Sequence, residues 1–67
     1  MELKDQAAPI HRGQVVATAA KPWARGAKLD LCHTGAGYTA PARRAMRRLG
    51  IRACKIDFSG KRVDYSR

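Results

Sequence analysis

No stretch of this chain approaches the ~20 consecutive apolar residues of a membrane-spanning helix, and no apolar run near the N-terminus has the form of a signal peptide. The opening MELKDQAAPI carries two acids and a lysine instead. Cysteine is scarce: Cys32 and Cys54 are too few for the dense crosslinking of small secreted scaffolds. An intracellular, cytoplasmic chain with reduced thiols is therefore expected, in which Cys54 is a buried thiol and a Cys32–Cys54 disulfide would run against the compartment.

Metal-site spacing is missing as well. His11, Cys32, His33 and Cys54 form neither a CxxC nor an HxxxH pair, and adjacent residues on a strand point to opposite faces. For the same reason Cys32 and His33 cannot converge on one substrate atom as a nucleophile and its base. No paired carboxylates stand apart from cationic partners either, so the expectation is a protein without enzymatic activity, metal or cofactor. Gly35-Ala36-Gly37 lacks the third glycine and the following acid of a dinucleotide loop, and lacks the GK[ST] of a phosphate-binding loop. It reads as a turn before a helix.

The chain is also short of core material. A chain of 67 residues makes one small domain at most, and such a domain buries only ~60% of the surface its unfolded form exposes. A disulfide, a metal or a second copy of the chain is the usual supplement, so a homodimer built through a bare sheet face or an edge strand fits the composition.

Basic residues are plentiful, and they are unevenly spread. The net charge is +9; residues 1–37 hold five basic against three acidic residues, net +2, while residues 38–67 hold nine against two, net +7. A field of that sign draws nucleic acid, acidic protein surfaces or anionic membranes, and says nothing of fold.

Along the chain, residues 1–13 have no periodicity, contain Pro9 and end at Gly13, so they read as a flexible N-terminal arm preceding a single small α+β domain over 14–67. QVVATAA (14–20) has a β-branched centre and reads as a strand, with a short helix as the alternative its alanines allow. KPWARGA (21–27) is a connecting loop by its Pro22 and Gly26. KLDLCHT (28–34) alternates, with Leu29, Leu31 and His33 on one face. A helix over 39–49 follows: Thr39 is its N-cap, Pro41 lies in the first turn and Gly50 ends it. Ala42, Ala45, Met46 and Leu49 form its core-facing stripe. IRACKIDF and KRVDY then make a hairpin, for which a Ser59-Gly60 loop pairs Asp57 with Arg62 and Lys55 with Asp64; a three-residue loop mixes the faces. The expected order is β-β-α-β-β, with one helix on a sheet of three or four strands. Whether the second and third strands are adjacent is left open.

The core stripe turns Arg43, Arg44, Arg47 and Arg48 to the other side of the helix, and no acid stands four residues from any of them. Arginine-rich helix faces are also ordinary solvated surfaces, because arginine favours helix. Single-sign stripes, however, are the usual footprint of nucleic-acid binders, and the guanidinium fork suits phosphate oxygens. The sequence thus points first to a small DNA- or RNA-binding protein gripping the phosphate backbone, with Arg52 and Lys61 widening the patch. The helix carries no Asn or Gln to read adenine. Trp23, between Lys21, Arg25 and Lys28, could stack on a base or cap the core. The alternative is an inhibitor or adaptor whose basic helix docks on an acidic protein surface. A membrane surface fits poorly, because the apolar side of the helix is mostly alanine.

Overall fold

The computed structural model describes residues 1–21 and 28–65, which form a mixed α+β domain. Its elements run β1 (Glu2–Lys4), α1 (Arg12–Ala19), β2 (Asp30–His33), α2 (Ala40–Leu49), β3 (Arg52–Ile56) and β4 (Arg62–Asp64). The sheet order is β1-β2-β3-β4; the first three strands are parallel, and β4 returns antiparallel to β3 as a C-terminal hairpin. Strands β2 and β3, whose adjacency the sequence leaves open, are direct neighbours. Both helices share one apolar cluster with Leu31 and Ala53, so both cover the same face of the sheet.

Residues 14–20, read from sequence as a strand, instead form most of α1 and its C-cap, Ala20. Parallel neighbours need a long crossover, and α1 supplies it between β1 and β2. The local signal is a capping box with histidine as the cap: His11 Nδ1 accepts from the Gln14 N–H (3.3 Å), and Gln14 Oε1 accepts from the His11 N–H (3.1 Å). Val15 and Thr18 sit three residues apart on the buried side, while Val16 faces outward. Residues 1–13, read as a flexible arm, contain β1, which pairs with Leu31–His33. Ile10 is fully buried, donates to the Gly37 carbonyl (2.8 Å) and accepts from the Thr39 N–H (2.9 Å).

The hairpin register differs from expectation by one residue. Cys54, Lys55 and Ile56 face Asp64, Val63 and Arg62, so the loop is the three residues Phe58-Ser59-Gly60. The Asp57 carboxylate explains the choice, because it accepts from the Ser59 N–H, the Ser59 hydroxyl and the Lys61 N–H rather than meeting Arg62. Gly60 closes the loop at φ +85, the left-handed position that a three-residue hairpin loop requires. The Ser59 hydroxyl, followed by the Lys61 and Ser59 N–H groups, holds the Asp57 carboxyl below the usual carboxylate range. Leu49 also departs from expectation: it is 50% exposed and not part of the buried stripe.

Cysteine chemistry departs from expectation too. The β2–β3 register sets Cys32 directly against Cys54, with Cα atoms 4.4 Å apart, and the two form a disulfide rather than the free thiols expected. The pair lies on the sheet face opposite the helices, where Met1 Sδ approaches Cys32 Sγ at 3.5 Å. It therefore supplements a core whose largest fully buried side chains are only Ile10, Leu31, Met46 and Val15.

Two stability measurements check this packing. The disulfide spans a separation of 22 residues, so reduction should lower unfolding free energy by about 3 kcal/mol in urea titrations, and an unchanged midpoint would contradict it. The Thr18 hydroxyl is buried with no hydrogen-bond partner among the described residues. Thr18→Val should raise stability by about 1 kcal/mol, since a buried hydroxyl without a partner costs ~1–3 kcal/mol.

Candidate nucleic-acid interface

Helix α2 is built as its sequence suggests. Thr39 Oγ1 accepts from the Ala42 N–H (3.2 Å), Pro41 occupies the first turn, and Gly50 takes the left-handed conformation at φ +71. The Gly50 and Ile51 N–H groups then cap carbonyls of Arg47 (3.3 Å) and Met46 (2.8 Å). Ala42, Ala45 and Met46 are buried, which turns the arginines away from the core. Arg47 and Arg48 lie in the last turn, where the helix dipole favours positive charge.

The four arginines do not share one environment. Arg44, Arg47 and Arg48 are exposed, and Arg43 is partly buried among aromatic rings. Its guanidinium carbon lies 5.8 Å from the Tyr38 ring centroid and 5.3 Å from that of Tyr65. Those rings meet edge to face with centroids 5.5 Å apart, and His33 joins them at 5.0 and 5.6 Å. The Tyr38 hydroxyl donates to the backbone carbonyls of Leu31 and Cys54, tying the cluster to β2 and β3. Burial, with a smaller contribution from Tyr65, pushes the Tyr38 hydroxyl up to about 12, against the lowering effects of the Cys54 backbone and Arg43.

A cleft of about 510 Å³ opens between the C-terminal half of α2, the Gly50–Ile51 connection and the β3–β4 ribbon. Arg43, Arg47, Arg52 and Arg62 line it with Tyr65, Asp64 and an apolar wall of Met46, Ile51 and Ala53. Its two cationic sides are unlike. Arg52 bonds Asp30 (2.5 Å), and Arg62 bonds both Asp30 (2.9 Å) and Asp64 (2.7 Å). Burial raises the Asp30 carboxyl, but hydrogen bonds from Arg62 and Arg52 outweigh it and hold the group below its ordinary value. Among the described residues no acid forms an ion pair with Arg43, Arg44, Arg47 or Arg48. The α2 side of the cleft thus carries two cations without acidic partners, and the ribbon side carries two that are already paired.

Of the residues singled out from sequence, Arg43, Arg47 and Arg52 come together around the cleft. Arg44 and Arg48 continue the basic surface along α2 outside that lining, and Lys61 stands exposed beside the hairpin loop. Trp23 lies outside the described residues. Sequence reasoning assigned Arg62 to Asp57. The missed signal is Asp57 with Gly60 three residues later, which marks the three-residue loop and moves Arg62 toward Asp30 and Asp64. Searches of protein families, curated proteins and solved structures find no match to this chain.

His33 beneath the cluster provides a pH test. It is almost fully buried and shares a 2.5 Å hydrogen bond between Nε2 and the Tyr65 hydroxyl, while Nδ1 has no bond of good geometry. Burial, then the Lys55 charge, lowers its proton affinity below the ordinary histidine value, against a smaller raising effect of the Gly35 backbone. Below about pH 6.5 the unfolded chain takes up a proton that the folded chain refuses, so this contribution is present above that pH and lost as pH falls toward the folded value. Wild type should lose up to about 1.4 kcal/mol per pH unit from this group on going below 6.5. In urea titrations at pH 7.5 and 5.5, His33→Gln should show a smaller drop; equal drops would refute the assignment.

Proposed function

We propose that the chain is a small nucleic-acid-binding protein that holds the phosphate backbone through α2, with no catalytic step of its own. The observation that carries this reading is the run Arg43, Arg44, Arg47 and Arg48 on one helix, which no acid of the described chain neutralises and which meets Arg52 at the cleft. An acid-free stripe of guanidinium groups suits phosphate oxygens and sets register without reading sequence. Neither described helix is long and apolar enough to cross a membrane. A cytoplasmic location accompanies this reading; glutathione there favours reduced thiols, so the Cys32–Cys54 disulfide of this structure would be open in that compartment.

A second reading, an adaptor docked on an acidic protein surface, is favoured by different residues. Phe58 at the hairpin loop is wholly exposed, and Val63 is about half exposed on edge strand β4. A side chain and an edge of that kind serve protein contacts better than phosphate contacts.

Fluorescence-anisotropy titrations at two salt concentrations separate these readings. If the four α2 arginines each neutralise one phosphate, affinity for duplex DNA should fall roughly a hundredfold between 50 and 200 mM salt, and somewhat less for a single strand. Arg43→Glu/Arg47→Glu should abolish binding. No binding of DNA or RNA at low salt would remove the nucleic-acid reading and leave the protein partner.

A further inference from the structure

The cleft is more than a continuation of the basic helix, because it combines charge with an apolar wall. We propose that it is a single-nucleotide pocket, taking one unstacked base together with its phosphate, so that the preferred ligand is single-stranded nucleic acid rather than duplex. This rests on the nucleic-acid reading above. At about 510 Å³ the cleft falls within the ~300–1,000 Å³ of pockets that hold small ligands.

The division of charge orients the ligand. The phosphate goes to Arg43 and Arg47, which have no acidic partner among the described residues, and not to the ribbon side, where Asp64 already bonds Arg62 and repels an anion. Arg43 is held in advance by the rings of Tyr38 and Tyr65, so less freedom is lost when it binds. With the phosphate there, the base lies beside the Tyr65 ring, over the small apolar area that Ile51 and Ala53 leave accessible in front of buried Met46. Every base has a π-face, so stacking of this kind tolerates any sequence. In a duplex the bases are paired and stacked, and only the phosphates could reach the cleft; the apolar wall would gain nothing.

The discriminating experiment compares a single-stranded oligonucleotide with a duplex of the same length at one salt concentration, with adenosine monophosphate and inorganic phosphate as competitors. The expected result is at least a tenfold preference for the single strand, and competition by the nucleotide at concentrations where inorganic phosphate has no effect. Tyr65→Ala should remove that preference, lowering single-strand affinity at least tenfold more than duplex affinity, and Tyr65→Phe should keep it because the ring remains. Thermal melting of each variant checks that it is folded. Equal affinity for single strand and duplex, with nucleotide and inorganic phosphate competing alike, would overturn the pocket and leave the phosphate-contact reading standing. Failure to bind any nucleic acid would instead remove the reading beneath it.

Discussion

The parallel ladder between β2 and β3 sets Asp30 beside Arg52 and Cys32 beside Cys54, and both the core and the arginine cleft take their positions from it. On the helix side it aligns Leu31 with Ala53, the floor on which Ala42, Ala45 and Met46 of α2 pack. On the other side it supports the disulfide and the Asp30 ion pairs. The Tyr38 hydroxyl bonds one carbonyl on each of the two strands, so the aromatic cluster that holds Arg43 is tied to the same ladder. A small chain concentrates its cohesion in this way because its apolar residues are too few to build a second layer.

Charge follows from the same economy of residues. The five acids are taken up by local tasks: Glu2 meets Lys21, Asp5 accepts from Thr34, Asp57 closes the hairpin loop, and Asp30 and Asp64 hold Arg52 and Arg62. None forms an ion pair with an arginine of α2. The positive field of the helix is therefore the residue of a chain whose negative charges serve as clamps elsewhere, and it is concentrated where Arg43 and Arg47 border an apolar wall. Attraction to polyanions comes from the whole field, while discrimination among them depends on that wall.

Sequence and structure agree most closely where the signal is local. Thr39, Pro41 and Gly50 bound α2 within the chain itself, and the alanine and Met46 stripe follows from helical spacing alone. The C-terminal hairpin and the mixed α+β class are also legible, since strand pattern and turn residues are short-range features. Agreement fails where the deciding contact is remote. Val15 and Val16 suggest strand, but the crossover needed by a parallel sheet makes them helix; the His11–Gln14 box is a local signal that the strand reading overlooked. The arm looks unstructured because three residues of β1 carry no visible period; only β2 gives them a partner.

By itself, the sequence determined that this chain has one basic amphipathic helix with its arginines turned from a scarce core, because capping and 3.6-residue spacing act within a dozen residues. Tertiary structure alone decided which of those arginines work together. The hairpin register moved Arg62 from Asp57 to Asp30 and Asp64, the β2–β3 ladder joined the cysteines, and the ring cluster drew in Arg43. Each of the three cases joins residues 22 or more positions apart, Arg62 with Asp30, Cys32 with Cys54 and Arg43 with Tyr65. At such separations the partner is chosen by strand pairing and packing, not by any pattern in the neighbouring residues.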